Sequence, residues 1–245
     1  MIYITGDCHG DFSRFEDEDF SELTKDDYVI ICGDFGGIWN DNKYSRHDRK
    51  NLKELSKMSF TTIFVDGNHE NFNHLYKYPI IEWNGGRVHK ISSSIYHLIR
   101  GEVYLLDGKK IFAFGGAESH DIKDGIINEN EIYKIEDFDE KHISFRIRNH
   151  NWWDLELPTK EELENGLTNL EKYNYKVDYI VTHCAPTSIQ NEINDEYPIN
   201  RLTEYFEGLK KNASFKKWYF GHYHRNIKNI QKKFECIYDD IIEIK

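Results

Sequence analysis

The chain has 245 residues, of which 39% are hydrophobic and 31% are charged. This length allows a substantial buried core, and a chain with only four prolines and no Gly/Ser-rich or Pro-rich tract gives no sign of an internal linker. The formal net charge of −11 repels the phosphate backbone of nucleic acid, which disfavours an extended nucleic-acid groove. We therefore predict a single domain over residues 1–245.

The cysteines and the hydropathy indicate the compartment. The four cysteines are scattered and form no Cys-x-x-Cys pair, which is typical of reduced thiols rather than of a disulfide framework. The chain opens directly on a predicted strand, without a basic and apolar leader, and contains no apolar run long enough to span a membrane. These features predict a cytoplasmic protein with no membrane partner and leave its oligomeric state open.

Strands and helices alternate in the first third of the chain. Apolar runs at residues 2–5, 28–32 and 61–66 predict buried strands, and helices are expected at 11–23, with an acidic solvated face, and at 43–57. Such alternation is typical of a parallel sheet built by right-handed crossovers.

The next segment has the pattern of antiparallel pairing. Apolar runs separated by turn residues lie at residues 88–91, 95–99, 103–106 and 110–114, and the Asp-Gly pair at 107–108 is a good hairpin turn. Two packed sheets, each backed by helices, would accommodate both patterns, so the predicted fold class is α/β.

A long irregular region follows at about residues 118–157. It is too long for an ordinary connection, so we predict an insertion with a function, such as a lid over a site. Within it, residues 143–148 alternate strictly, which places Arg146 and Arg148 on one face and the apolar side chains on the other.

The last third of the chain returns to helices and short strands. Thr159, with Glu162 three residues later, predicts an N-cap and a helix through about residue 173. The other predicted elements are a strand at 178–182, a helix at 200–210 and short strands around 218–220, 227–230, 234–238 and 241–244.

Five of the predicted strands end in residues that carry chemistry. The motifs are Gly-Asp-Cys-His-Gly at 6–10, Gly-Asp at 33–34, Gly-Asn-His-Glu at 67–70, a histidine at 183 and Gly-His-Tyr-His at 221–224. Functional residues are often found on such loops. One of these motifs alone is as compatible with an ordinary turn as with a site, but five of them at strand ends in one chain favour a site.

The motifs supply seven oxygen and nitrogen donors, which are Asp7, His9, Asp34, Asn68, His183, His222 and His224. A donor set without thiolate suits manganese first, with iron, zinc, cobalt or nickel as alternatives. Seven donors exceed the needs of one tetrahedral site, so we predict two divalent cations with Asp34 as the bridge. Two such ions, roughly 3.5–4 Å apart, can clamp an oxyanion and lower the pKa of a shared water during displacement at phosphorus.

The remaining histidines singled out in the chain have a simpler interpretation as hydrogen-bonded core or surface groups. They are His74, His89, His97, His120, His142 and His150.

In this order, the motifs resemble those of the calcineurin-like metallophosphoesterase superfamily, and the resemblance covers residues 6–224. A bacterial and phage branch is similar in further positions, which are Gly115, Gly116, Ala117, Ser119, Asp121, Trp152, Trp153, Glu156 and Pro158. The resemblance implies a four-layer α/β/β/α sandwich of two mixed sheets flanked by helices. It also implies one ion held by Asp7, His9, Asp34 and His224, and another held by Asp34, Asn68, His183 and His222.

The resemblance implies a reaction as well. A hydroxide that bridges the two metals would attack phosphorus, and His69 would act as the general acid that meets the leaving oxygen. Glu70 would support the ligands from behind.

One departure from the family bears on the substrate. In phosphoprotein phosphatases the second motif continues to an arginine that grips the substrate phosphate, and residues 33–38 of this chain lack it. Arg146 or Arg148 is predicted to replace that contact, and Trp39 is predicted to roof the pocket. Their simpler interpretations are surface ion pairs for the arginines and core packing for the tryptophan.

The sequence thus predicts a metal-dependent phosphomonoesterase or phosphodiesterase acting on a small or nucleotide-like substrate. One alternative is a nuclease or nucleic-acid end-processing enzyme, against which the net charge of −11 stands. Another is a scaffold that keeps the metal centre without turnover, against which the intact His69 stands.

Overall fold

Two mixed sheets form the centre of the protein. The computed structural model describes residues 1–16, 20–39, 46–120, 122, 124–128, 130–131 and 145–245. Its strands are, in chain order, β1 Ile2–Thr5, β2 Tyr28–Ile31, β3 Thr61–Phe64, β4 Ile80–Trp83, β5 Gly86–Lys90, β6 Ile95–Leu98, β7 Glu102–Leu106, β8 Lys109–Phe114, β9 Ile126–Ile127, β10 Arg146–Ile147, β11 Tyr179–Thr182, β12 Lys217–Phe220, β13 Ile227–Ile230, β14 Phe234–Cys236 and β15 Ile241–Glu243. Its α-helices are α1 Arg46–Lys57, α2 Phe72–Leu75, α3 Lys160–Lys172, α4 Thr187–Ile193 and α5 Arg201–Asn212.

The first sheet has the strand order β15-β1-β2-β3-β6-β5-β4. Its four central strands, β1, β2, β3 and β6, are parallel, and the strands at both edges are antiparallel. The parallel sheet predicted for the first third of the chain is confirmed. Because β1, β2 and β3 are neighbours, the loops that follow them leave the sheet at the same edge.

The second sheet has the strand order β13-β14-β12-β11-β8-β7. Strands β8, β11, β12 and β14 are parallel, while β7 pairs with β8 as an antiparallel hairpin. Asp107 and Gly108 both have positive φ, 47° and 73°, as a two-residue hairpin turn of this kind requires. The predicted hairpin is confirmed.

Successive side chains of a strand point to opposite faces of its sheet, so the two sheets contribute to three apolar cores. Ile30 of β2 packs with Ile111 and Val181 of the second sheet in a core between the two sheets. Val29 and Ile31 face the other way and pack with α1 and α2. On the far side of the second sheet, a third core contains side chains of α3, α4 and α5. Two mixed sheets flanked by helices therefore confirm the predicted fold class.

The helix predicted at 11–23 is wrong within the described residues, since they contain no α-helix there and form a 3₁₀ turn at Ser13–Phe15. Asp11 Oδ1 accepts a hydrogen bond from the amide of Ser13 at 2.9 Å, which competes with helical pairing. Arg14 reaches inward and donates to the carbonyl oxygens of Asp7 and Tyr238 at 2.9 and 2.8 Å. The segment is thus shaped by tertiary contacts and not by a solvated helical face.

The helix predicted after Thr159 is confirmed as α3. Thr159 Oγ1 accepts from the amide of Glu162 at 3.2 Å, and Glu162 Oε2 accepts from the amide of Thr159 at 2.7 Å, which is a complete capping box. The predicted helix at 200–210 corresponds to α5. No sequence pattern predicts β4, α2 or α4.

The region at about 118–157 is described in part. β9 pairs in parallel with β10, and a 3₁₀ turn follows at Asp154–Glu156. Residues 143–144 of the predicted alternating strand lie outside the described residues, and Arg146–Ile147 is extended as expected. Its role as a lid stays a prediction.

All four cysteines are free and buried. Among the described residues, no helix combines the length and the apolar content needed to cross a bilayer.

Candidate metal centre

The ends of five parallel strands meet around one point. β1, β2 and β3 deliver their loops from the first sheet, and β11 and β12 deliver theirs from the second. The structure brings all seven predicted donors together there, namely Asp7, His9, Asp34, Asn68, His183, His222 and His224.

We call Asp7, His9, Asp34 and His224 the outer group, whose donor atoms all lie within 4.8 Å of one another. His224 Nε2 lies 3.1 Å from His9 Nε2 and 3.1 Å from Asp7 Oδ2. Both histidine side chains are partly exposed. Two imidazole nitrogens and two carboxylates that converge in this way are suited to a divalent cation.

We call Asp34, Asn68, His183 and His222 the inner group. His183 Nε2 lies 3.3 Å from Asp34 Oδ1 and 3.1 Å from Asn68 Oδ1. The rings of His183 and His222 pack together with their centroids 4.9 Å apart. Asn68 and His183 are buried and His222 is half-buried, so this half of the centre is less exposed than the outer group.

Asp34 belongs to both groups through different oxygens. Its Oδ2 lies 3.8 Å from His9 Nε2 in the outer group, whereas its Oδ1 lies 3.3 Å from His183 Nε2 in the inner group. The amide of His69 donates to Oδ1 at 2.8 Å and holds the carboxylate in this orientation. The two oxygens of Asp34 thus face the two groups separately.

The pKa values in the centre show that it attracts positive charge. Burial alone would lower the pKa of His183, but the carboxylates of Asp34 and Asp7 raise it to about 9. Burial would raise the pKa of Asp34, yet His183 and the neighbouring histidines hold that pKa far below its ordinary value. A cation bound here would take over the charge that the proton on His183 provides.

Two ring nitrogens can offer lone pairs to a cation, and His183 Nε2 does so once its proton has left. His183 Nδ1 lies 2.6 Å from the carbonyl oxygen of Cys32, which can only accept, so Nδ1 carries the proton and Nε2 faces the donors. His222 Nε2 is buried and has no hydrogen-bond partner among the described residues. Because burial also lowers the pKa of His222 well below its ordinary value, its ring is neutral. The donor chemistry therefore fits divalent cations.

The backbone is strained at four of the seven donors. The residues His9, Asp34, His222 and His224 have φ values of 48°, 46°, 69° and 49°, in the left-handed region that non-glycine residues seldom adopt. Such strain costs about 1–3 kcal/mol per residue and is found mostly at functional sites. The strained residues lie where the chain turns the donor side chains toward the centre.

Glycines of the motifs make room for donors of other motifs. A Cβ on Gly33 would overlap the ring of His183, and a Cβ on Gly67 would overlap the carboxylate of Asp34. The glycine in each pair therefore allows the close approach of two strand ends, which explains why Gly precedes Asp34 and Asn68.

A cavity of about 260 Å³ adjoins the outer group, and its lining residues are His9, Gly36, Trp39, His47, Asp48 and His69. Burial lowers the pKa of His69, and the positive charge of Arg146 adds to this effect. The ring centroid of Trp39 lies 6.3 Å from that of His69 and 5.7 Å from that of Trp153. Trp39 thus both lines the cavity and packs against the insertion.

The other predicted site residues lie at the edge of this arrangement. Glu70 is buried, and its Oε1 accepts from the amide of Phe35 at 2.7 Å, which steadies the loop that carries Asp34. Arg148 pairs with Asp154 and lies over the ring of Trp152, 4.9 Å from its centroid. These contacts of Arg148 are those of a surface ion pair, and its substrate role stays a prediction.

Three residues near the centre were given no role from sequence. Ser119 Oγ accepts a hydrogen bond from Asn68 Nδ2 at 3.1 Å, and Glu156 bonds to Ser119. The ring of His120 lies 4.6 Å from that of His222. Ser119 and His120 follow β8, which is parallel to β11, so they lie beyond a sixth strand that ends at the same edge. That position is the signal that could have identified them.

Comparison with known proteins agrees with this geometry. The sequence profile of the calcineurin-like phosphoesterase family matches residues 1–226. The chain belongs to this family. The predicted metallophosphoesterase and its fold are therefore confirmed.

Within the calcineurin-like phosphoesterases, the chain is similar to lariat debranching enzymes. The enzyme of Danio rerio is 31% identical over 141 residues, which cover 51% of this chain and 23% of that protein. Lariat debranching enzyme A of Xenopus laevis is 29% identical over 140 residues, 51% of this chain and 25% of that protein. The enzyme of Drosophila pseudoobscura pseudoobscura is 24% identical over 231 residues, 84% of this chain and 36% of that protein. The chain thus spans only 23–36% of the length of these relatives.

Proposed function

We propose that the chain is a binuclear metal-dependent phosphodiesterase that cleaves a nucleic-acid phosphodiester at an end or a branch. The observation that carries this proposal is Asp34, whose two oxygens face two separate donor groups. The relatives, which are named for the debranching of lariats, favour a phosphodiester over a phosphomonoester. Manganese is the first choice of metal because the donors are oxygen and nitrogen without thiolate.

The outer group would hold one cation and the inner group the other, with Asp34 shared. When bound, the two cations supply Lewis-acid stabilisation of the phosphoryl oxygens and an acidified water. The chain's own residues orient the donors. Glu70 and the amide of His69 fix the loop and the carboxylate of Asp34, so that the donors need little rearrangement.

His69 would give a proton to the leaving oxygen from the wall of the cavity. Its lowered pKa keeps the free imidazole neutral, and a substrate phosphate placed beside it would raise that pKa again. The acid form is then available mainly when substrate is bound.

The size and charge of the site restrict the substrate. A cavity of about 260 Å³ holds a small part of a nucleic acid, and the net charge of −11 opposes contacts with a long backbone. Trp39 offers a ring on which one base can stack. The preference for a small phosphoester finds no support in the lariat debranching relatives, so we place one diester and its neighbouring nucleotide in the site.

We further propose that the insertion at about 118–157 is the lid of this site within a single domain. Trp153 is buried against Trp39 at the cavity. Ser119, which also belongs to the insertion, accepts a hydrogen bond from Asn68 of the inner group. The insertion therefore contacts both the cavity and the metal centre.

The test compares leaving groups in the presence of Mn²⁺. We expect wild-type protein to cleave bis(p-nitrophenyl) phosphate faster than p-nitrophenyl phosphate, and a branched oligonucleotide faster than its linear counterpart. His69→Ala should lower kcat on the oligonucleotide by about 10²–10⁴-fold, because an alkoxide needs its proton. The loss on the nitrophenyl diester should be much smaller, since nitrophenolate leaves without one.

His74→Ala is the matched control, because His74 lies on α2 outside the cavity, and it should leave both rates unchanged. Equal losses on the two diesters in His69→Ala would contradict the role as general acid. If two Mn²⁺ ions bind and no ester is cleaved, the scaffold alternative replaces the proposed enzyme.

A further inference from the structure

The amide of Asn68 poses a problem of orientation. Its two ends have nearly the same shape, but only Oδ1 has lone pairs to offer a cation, while Nδ2 carries two protons. In the structure Oδ1 lies 3.1 Å from His183 Nε2, within the inner group. Some contact must hold the amide this way round, since the reversed amide would present protons to the site.

A buried chain of hydrogen bonds begins at the other end of the amide. Asn68 Nδ2 donates to Ser119 Oγ at 3.1 Å. Ser119 then donates twice to the same oxygen, Oε2 of Glu156, from its hydroxyl at 2.8 Å and from its amide at 3.2 Å. Asn68, Ser119 and Glu156 are 3%, 9% and 3% exposed, so water does not compete for these bonds.

The chemistry of the three groups gives the chain one direction. Oε2 of Glu156 accepts two hydrogen bonds, so the hydroxyl proton of Ser119 points toward it and the lone pairs of Oγ are left for Asn68. A reversed Asn68 amide would place its carbonyl oxygen against those lone pairs and leave its protons facing His183. The reversed amide is therefore disfavoured at Ser119, and at its other end it offers no lone pair to a cation.

The direction is the same whether or not Glu156 is protonated. Burial raises the pKa of Glu156 to about 8. Because Oε2 already accepts two bonds, a proton on this carboxyl group would go to Oε1, which is buried without a hydrogen-bond partner among the described residues. Oε2 remains an acceptor in both states.

We propose that Ser119 and Glu156 are positioning residues that hold Asn68 with Oδ1 toward the inner group. The proposal rests on the proposed metal centre. Glu156 ends the 3₁₀ turn Asp154–Glu156 of the insertion, next to the buried Trp153. The insertion, for which the sequence predicts a function such as a lid, thereby acquires a defined task in preparing the inner cation site.

The decisive experiment is a double-mutant cycle of Ser119→Ala with Asn68→Asp. Manganese binding to the metal-free protein is followed by titration calorimetry, so the measurement does not depend on activity. In the protein that keeps Asn68, Ser119→Ala should lower the Mn²⁺ affinity of one of the two sites by about 10–100-fold. This is the usual effect of losing a partner that orients a ligand. In the Asn68→Asp protein it should cost no affinity, because a carboxylate presents oxygen either way round.

Two variants of Glu156 separate orientation from charge. Glu156→Gln keeps an acceptor oxygen for Ser119 and should bind Mn²⁺ nearly as well as the wild type. Glu156→Ala removes the acceptor, frees the hydroxyl to turn, and should weaken the inner site about as much as Ser119→Ala. A strong loss in Glu156→Gln would show that the negative charge matters, and would overturn the orienting role.

Failure of the inference and failure of the proposed function give different results. A wild-type protein that binds no pair of Mn²⁺ ions would overturn the metal centre. The inference alone would be overturned if the wild type binds two ions and Ser119→Ala does not change Mn²⁺ affinity when Asn68 is present. It would also be overturned if Ser119→Ala lowers the affinity equally with Asn68 and with Asn68→Asp. Thermal unfolding of each metal-free variant shows that the proteins compared are folded, and the cycle decides the matter even if Glu156→Ala does not fold.

Discussion

The outer and inner groups each hold four donors, one of them shared, but they are held differently. In the outer group the side chains of His9 and His224 are 37% and 52% exposed, and their ring nitrogens contact mainly each other and the carboxylates. In the inner group, His183 is bound from behind by the carbonyl of Cys32, and Asn68 is bound by Ser119. The inner group is therefore preorganised, and we expect it to bind its cation more tightly and release it more slowly.

The largest effect is expected where the two groups join. Asp34→Asn should lower activity by more than about 1000-fold, because it removes the negative charge that both groups share and leaves one oxygen donor where two are needed. Asparagine tolerates the φ of 46° at this position, so the backbone is kept. Calorimetry should then detect no tight Mn²⁺ site where the wild type has two.

Asp240→Asn is the matched control, since the Asp240 side chain is half-exposed and forms its only ion pair among the described residues with Lys228. It should leave both sites intact. If Asp34→Asn abolished one site and spared the other, Asp34 would belong to a single group, and the bridging arrangement would be wrong.

A smaller effect is expected from pH in the inner group. The pKa of His183 is raised to about 9, so a proton must leave before Nε2 can bind a cation. Protons therefore compete with Mn²⁺ below that pH, and affinity should rise about tenfold per pH unit, or about 100-fold from pH 6 to pH 8.

The measurement is made on His224→Ala, in which the outer group lacks one donor and the inner group is intact. Calorimetry in two buffers of different ionisation enthalpy should also show close to one proton released per Mn²⁺ at pH 7. An affinity that stays constant between pH 6 and pH 8 would mean that His183 is neutral without the metal.

The donors lie at the ends of strands, whereas their supporting contacts join distant parts of the chain, and this difference explains what the sequence could predict. Parallel strands are buried on both faces and appear as apolar runs, so the strands that end at Thr5, Ile31 and Thr182 were predictable. Each donor follows such a strand within a few residues, so local pattern identified all seven donors.

The supporting contacts were not predictable in the same way. Ser119 and Glu156 meet across 37 residues of sequence, and Arg14 reaches Tyr238 across 224. Local periodicity does not predict such pairs, because they depend on how the sheets and the insertion pack. The same limit applies to the helix expected at 11–23, where side-chain contacts made elsewhere in the fold outweighed the local pattern.

The smallest effect concerns backbone strain in the outer group. His224 has a φ of 49°, and its side chain is 52% exposed. Alanine and glycine at this position lose the same imidazole contacts with Asp7 and His9, but alanine keeps the Cβ that makes the left-handed backbone costly. In the metal-free protein, His224→Gly should therefore be more stable than His224→Ala by about 1 kcal/mol in urea denaturation.

Arg225 is the matched control, since it is exposed and is not among the residues of positive φ. Arg225→Ala should be more stable than Arg225→Gly, which is the opposite order. The same order at both positions would mean that the left-handed backbone at His224 carries no strain.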